Sequence, residues 1–369
     1  MFNNFFMNDK KEINIVGAGL SGLTAGINLA KAGYKVKIFE KNETAGKRFH
    51  GDYQGIENWV YAQDAIDCLR KLNVELNFPY YPVNELNVIG PNDTVKNFKF
   101  KKNAFYLVKR GTDSDALDQN LYQQAIKSGV EIIFNSPKNH LCFGDIIAQG
   151  YFPDSPSDAI AFGYTFPADK PDQAWVIVDD KIAPDGYNYC LIANGQATIA
   201  ICIFKNYDKS QEYLTKTAQI FQQHIGFTIN NAKTFGGTSN SFLMKKATFN
   251  GRLYVGEAAG FIDGMWGFGM KYAMLSGYLA AQSIIEQLDY EKLWKKELYP
   301  QLKASLVNRW FYKILGQKSY GFIIKKMEKS PDFIATLQKI SAYSWFHKLA
   351  LPFAWLSLRK NLKDRRFKK

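Results

Sequence analysis

Apolar positions open the chain as a strand, break at a glycine cluster, and resume at helical spacing. Residues 13–16 (Ile-Asn-Ile-Val) read as a strand, Gly17, Gly19 and Gly22 follow, and the helical pattern that begins there ends at Gly33. Residues 36–40 (Val-Lys-Ile-Phe-Glu) read as the second strand, with Glu40 at its end. Residues 41–52 are polar and glycine-punctuated, which predicts a loop. Residues 64–72 place Ile66, Leu69 and Leu72 on one helical face, and residues 86–108 alternate as strands do. A helix from Leu117 to near Gly129, a strand at 130–134 and another at 145–150 repeat the strand–helix–strand order of a doubly wound sheet.

The pattern then changes. Residues 174–178, 187–192 and 197–201 are β-rich runs separated by turn residues, Asn194-Gly195 among them, which predicts an inserted antiparallel sheet. Residues 210–225 read as a helix. Residues 252–260 run from a strand into a turn, 261–269 form an irregular glycine-rich loop, and 270–288 form a helix rich in small residues: Ala273, Ser276, Gly277, Ala280 and Ala281. The fold class expected is therefore α/β: a Rossmann-like domain, an inserted antiparallel β-sheet domain and a C-terminal helical region.

The chemistry of the first turn follows from its spacing. Gly17 lets the chain leave the strand sharply, Gly19 lets backbone N–H groups approach a pyrophosphate, and Gly22 lets the helix pack close to the sheet. Phosphates would sit at the helix N-terminus beside Ser21, where free N–H groups and the helix dipole favour anions. A carboxylate at Glu40 would accept hydrogen bonds from ribose hydroxyls, with Lys41 next to it. In the following loop Arg48 is either a phosphate partner or a solvated charge. His50 is either an exchanger of protons with a reacting group or a structural histidine.

Taken together, these segments resemble the FAD-binding flavoproteins related to p-hydroxybenzoate hydroxylase. Gly256-Glu257-Ala258-Ala259-Gly260-Phe261 resembles their Gly-Asp-Ala-Ala-Gly motif, which implies that Glu257 bonds the ribityl chain of FAD. Gly267-Phe268-Gly269-Met270 resembles the following Gly-x-Gly, whose backbone lies by the flavin ring; Gly264 stands where many relatives carry a proline. Arg110 followed by Leu117-Asp118 resembles the segment whose arginine lies beside the cofactor. Within this superfamily the chain is most similar to geranylgeranyl reductases. The Ser276-Gly277…Ala280-Ala281 helix resembles theirs, and residues 183–189 (Ala-Pro-Asp-Gly-Tyr-Asn-Tyr) resemble their substrate motif. His50 occupies the position of a cysteine in the archaeal reductases, so thiol chemistry is not expected there. The resemblance spans residues 13–287. It implies an FAD-binding domain at 11–75, 100–158 and 245–288, a substrate domain at 76–99 and 159–244, and a C-terminal region at 289–369 outside the match.

The expected activity is an FAD-dependent reduction of carbon–carbon double bonds in an isoprenoid or related lipid. Reduced flavin delivers the hydride, and His50, Tyr187, Tyr189 and water are candidate proton sources, although such tyrosines are more often strand-packing residues than catalysts. The N-terminus of the helix after Met270 would favour negative charge on the flavin. No second dinucleotide motif is present, so NAD(P)H or another electron donor would bind transiently. A flavin monooxygenase of an apolar or aromatic substrate, a lycopene-cyclase-like isomerase and a non-catalytic lipid-binding flavoprotein share the same scaffold.

Composition adds one feature. The net charge of +13 is concentrated at residues 292–369, which hold 19 Lys/Arg against 4 Asp/Glu, with the remainder at −2. The same region contains Trp294, Trp310, Trp345 and Trp355. Leu349, Phe353 and Leu356 share one helical face, with Lys348, Arg359, Lys360, Lys363, Arg365 and Arg366 around or after it. That division predicts attachment to an anionic membrane surface rather than nucleic-acid binding, for which no motif is present. The four cysteines, Cys68, Cys142, Cys190 and Cys202, form no close pair, so no metal site or disulfide is expected. The first eleven residues lack the pattern of a signal peptide and no apolar run is long enough to span a bilayer. The expected location is cytoplasmic, peripheral on the inner face of the membrane.

Overall fold

The computed structural model describes residues 12–138, 144–151, 159–239, 243 and 245–362. The opening strand Glu12–Val16 runs parallel to Lys35–Phe39 in the register Glu12 to Lys35 through Val16 to Phe39. The helix Leu20–Lys31 makes the crossover between them. These strands lie inside a six-stranded sheet ordered 248–249, 252–254, 146–147, 12–16, 35–39, 131–133, parallel except at the 248–254 hairpin. Apolar residues of both layers, including Ile15, Leu23, Ile27 and Ile38, are buried between sheet and helices.

The helix Met270–Ile285 packs alongside the first helix. Its small residues are the cause: a Cβ at Gly277 would lie 2.1 Å from the Ser21 carbonyl oxygen, so only glycine permits this approach. Trp294 is fully buried in the same core and meets Phe261 at 5.1 Å. The helix Tyr290–Glu297 is thus part of the nucleotide domain's packing, and Trp294 takes no part in any outer surface.

A seven-stranded sheet is ordered 233–239, 159–167, 196–203, 187–193, 173–177, 85–89, 95–99. Most neighbours are antiparallel, but Gln173–Ile177 pairs in parallel with Glu85–Ile89, which joins the two distant stretches of sequence. Asn194 and Gly195, both at positive φ, close the hairpin that pairs Ala193 with Gln196, as the Asn-Gly signal predicts. The helix Ser210–Ile225 covers one face of this sheet, with Leu214 and Phe221 fully buried against it. A third sheet links Tyr53–Glu57, Phe105–Lys109 and Tyr80–Val83. The strand at residues 80–83 therefore pairs with 105–109 and not with the seven-stranded sheet.

The C-terminal helices Tyr299–Leu315, Gln317–Lys329, Phe333–Ser341 and Trp345–Leu362 are built onto this frame. Tyr312 and Tyr320 both donate their hydroxyls to the Gly186 carbonyl, the former at 2.9 Å, and Arg309 donates to the Asp185 carbonyl at 2.6 Å. Three side chains from these helices thus hold the turn that precedes Tyr187.

Candidate functional site

One large cavity, about 920 Å3, lies between the six-stranded and seven-stranded sheets. Its walls divide by chemistry. At one end stand Gly17, Gly19, Ser21, Glu40, Lys41 and Arg48; at the other, large apolar and aromatic side chains.

The polar end is shaped by backbone. Gly17 holds φ near +106°, and a Cβ at Gly22 would lie 2.0 Å from the Gly17 carbonyl oxygen, so strand, turn and helix close up only with glycines. Gly22 itself lies behind the cavity wall. A Cβ at Gly19 would meet nothing within 4 Å, because it would project into open space at the N-cap of the first helix. No side chain caps that helix, which leaves its first N–H groups to face the cavity. Glu40 is anchored from both sides: Oε2 accepts the Ala18 amide at 2.8 Å and Oε1 accepts the Asn42 backbone and side-chain N–H groups. The carboxylate is therefore oriented at the end of its strand before any ligand arrives.

Glu257 lies on the short helical turn Gly256–Ala259, after the strand Arg252–Tyr254. Its Oε2 accepts Arg48 Nη1 at 2.7 Å, while Oε1 is buried and has no hydrogen-bond partner among the described residues. Arg48 also donates to the Thr238 carbonyl at 2.9 Å, and the Glu257 carboxylate holds its guanidinium above its ordinary range. Arg48 thus ties the loop after Glu40 to both halves of the molecule. Gly256 stands behind this arrangement: its N–H donates to Ser276 Oγ at 2.8 Å.

Arg110 is buried and forms two parallel bonds to Asp118, both 2.8 Å, while its guanidinium lies 3.9 Å from the Phe49 ring centroid. It lines the cavity with its charge already paired. Gly267, Phe268, Gly269 and Met270 also line the cavity, at the N-terminus of the second uncapped helix. Phe268 is held by an edge contact to Trp59.

Tyr187 and Tyr189 both line the cavity, 6.2 Å apart between ring centroids. Burial pushes both hydroxyls up, so they stay protonated. Tyr187 donates to the Trp266 carbonyl, which ties the seven-stranded sheet to the glycine-rich loop and commits its proton. His50 is different: it is exposed and does not line the cavity, its backbone N–H bonding Asp52 Oδ1 at 3.0 Å. The loop turns the histidine outward and buries Asp52, so His50 stands apart from the cavity that the other candidate residues line.

Two sets of residues escape the sequence reading. Asp263 lines the cavity from the loop before the second helix. Its Oδ1 accepts the Met265 and Trp266 amides at 2.9 and 2.5 Å, yet burial raises the carboxyl above the usual carboxylate range. Its position two residues beyond Phe261, inside the glycine-rich loop, was the available signal. The second set is Tyr320, Ile323, Ile324, Met327, Phe333 and Leu337, which bring the C-terminal helices into the apolar wall. Spacing of 320, 323, 324 and 327 on one helical face was their signal.

Residues 15–55 match the family model described as an NAD(P)-binding Rossmann-like domain. Over 74 residues the chain is 40% identical to the thiamine thiazole synthase of Thermococcus kodakarensis, covering 20% of this chain and 30% of that protein. It is 25% identical over 154 residues to the digeranylgeranylglycerophospholipid reductase of Methanosarcina acetivorans, 37% of each chain. The matched stretches thus span about a third of these curated relatives. Among solved structures, a geranylgeranyl bacteriochlorophyll reductase-like protein from Thermoplasma acidophilum superposes with a TM-score of 0.69 at 19% identity, covering 95% of this chain and 98% of that one. A flavin-dependent brominase superposes at 0.63 and 16% identity, covering 95% and 99%. The orphaned Glu257 oxygen, the open space at Gly19 and the oriented Glu40 carboxylate fit the ribityl, pyrophosphate and ribose groups of FAD. The chain therefore has the fold of the FAD-dependent oxidoreductases, with a nucleotide-binding end whose residues fit FAD.

Proposed function

We propose that the protein is an FAD-dependent reductase of carbon–carbon double bonds in an isoprenoid or related lipid. The observation that carries this reading is the continuity of the cavity: the dinucleotide end opens, past Gly267–Met270, into a chamber walled by Leu86, Val88, Trp175, Leu191, Phe235 and Ile324. A long apolar molecule is the ligand such a wall accommodates. The names of the Thermoplasma neighbour and the Methanosarcina relative support the same class.

FAD, when bound, supplies the hydride. The first helix and Gly19 would hold its pyrophosphate, Glu40 its ribose and Glu257 its ribityl chain. The backbone of residues 267–270 and the helix that starts there favour negative charge beside them. Tyr187 and Tyr189 orient the substrate from the sheet, and the apolar wall excludes water. Asp263 holds the proton the second half of the addition requires. Burial raises its carboxyl and two backbone amides occupy Oδ1, which leaves Oδ2 as the oxygen that would carry the proton. NAD(P)H or another electron donor would bind transiently.

The brominase likeness favours a second reading, oxygen chemistry on an apolar substrate. The two separate in one experiment. Purified protein is extracted for bound lipid by mass spectrometry, then turned over with excess reductant at controlled oxygen. A reductase gains two mass units in its product without oxygen uptake. Oxygen uptake matching product supports the second reading, and flavin that no donor reduces supports a non-catalytic lipid-binding module.

A further inference from the structure

The last helix is apolar on two opposite faces, and only one of them is used by the fold. Ala350, Ala354 and Leu358 are at most 9% exposed and pack against Leu306 and Val307 of the helix Tyr299–Leu315. On the other side Trp345, Leu349, Phe353 and Leu356 are 54–75% exposed. The stripe extends onto the neighbouring helix through ring contacts, Phe353 with Trp310 and Phe346 with Phe311, and reaches the exposed Ile314. Among the described residues, nine of the thirteen exposed large apolar side chains fall between 314 and 356. Patches of this kind mark interaction sites.

The charge around the patch selects the partner. Lys313, Lys318, Lys326, Lys329, Lys339 and Lys348 belong to the same four helices, whereas residues 298–362 contain only Glu328 and Asp332 as acids. Arg359 and Lys360 add charge in sequence, and Lys363, Arg365 and Arg366 lie outside the described residues. A protein partner or a second copy of this basic chain would have to absorb that charge, whereas an anionic lipid surface complements it. No helix among the described residues is long and apolar enough to cross a membrane, so the patch would lie in the interface. The helix Gln317–Lys329 links patch to site: Ile323, Ile324 and Met327 line the cavity, while Phe322 on its outer side is 56% exposed.

We infer that the surface formed by Trp345, Leu349, Phe353, Leu356, Trp310 and Ile314 docks the protein on an anionic lipid surface. Truncating the helix would strip cover from Val307 and Leu306, so the test uses outward-facing substitutions in the full chain. Flotation is measured with vesicles of phosphatidylglycerol and phosphatidylcholine, and with phosphatidylcholine alone. The wild type is expected to float with the anionic vesicles and to lose binding at high salt. Trp345→Ser, Leu349→Ser, Phe353→Ser and Leu356→Ser combined should lower the bound fraction at least tenfold while bound flavin and circular dichroism stay unchanged. If that variant misfolds, Lys313→Glu, Lys339→Glu and Lys348→Glu together should give the same loss. Failure of the wild type to float, equal flotation of wild type and variants, or a dimer dispersed by the serine substitutions would overturn the inference. The readout does not require turnover, so it fails or succeeds independently of the reductase reading.

Discussion

The two ends of the cavity are made of different material. The nucleotide end is backbone: glycines at 17, 19, 267 and 269, two uncapped helix N-termini, and a few carboxylates fixed by amide donors. The apolar end is side chain: Trp175, Tyr187, Tyr189, Leu191, Phe204 and Phe235 from the sheet, and Ile323, Ile324 and Met327 from the C-terminal helices. A backbone-shaped site has one acceptable geometry: a Cβ at Gly17 would lie 2.5 Å from the Ala148 carbonyl oxygen, and one at Gly19 would enter the space left for a ligand. A side-chain-shaped chamber is defined by volume, which many residue combinations supply. The first kind specifies a cofactor and the second selects among substrates.

This contrast sets the order of expected effects. Gly19→Val should be the most damaging to cofactor binding, weakening FAD by about 1000-fold, since its side chain would take the pyrophosphate's place. With nothing within 4 Å and an extended backbone at that residue, the apo protein should melt as the wild type does. Flavin titration and thermal melting check the two halves of this expectation.

The buried pair beneath the second helix comes next. Lys271 Nζ donates to the Glu57 carbonyl at 2.9 Å and lies 3.6 Å from Oε1, and burial raises the Glu57 carboxyl even against Lys271. Lys271→Met should cost about 3–5 kcal/mol by leaving that carboxylate alone. Glu57→Gln with Lys271→Met should recover most of the loss in denaturant melts.

Asp263→Asn should slow turnover about 100-fold with little change in flavin binding. Burial raises its carboxyl above the ordinary aspartate range, so wild-type rates should fall as rising pH ionises it. The asparagine variant should show a flat profile. Smallest is Ile324→Trp, which narrows the chamber from the C-terminal side. KM for a long-chain substrate should rise about tenfold while FAD affinity and the rate with a shorter substrate hold.

The same contrast explains what could be read in advance. Gly17, Gly19, Gly22 and Glu40 announce their end of the cavity because a backbone-shaped site needs specific residues at specific spacing. Period-two runs at 187–201 and the Asn194-Gly195 turn locate the antiparallel strands for a similar local reason. The parallel pairing of 173–177 with 85–89 is not legible, because it depends on contacts between segments far apart in sequence. His50 and Asp52 differ by two positions in one loop, and only tertiary packing decides that the aspartate turns inward. The C-terminal helices reach the cavity through the Tyr312, Tyr320 and Arg309 bonds to residues 185–186, a link no periodicity encodes.

The central claim is that one cavity brings a reducible flavin against an isoprenoid double bond. Its most direct test is anaerobic: protein-bound FAD is reduced with dithionite, excess reductant is removed, and a polyprenyl lipid is added while the flavin absorbance near 450 nm is followed. The account predicts that the oxidised spectrum returns without oxygen and that the recovered lipid gains two hydrogens per flavin. A flavin that stays reduced until oxygen is admitted, with the lipid unchanged, would contradict it.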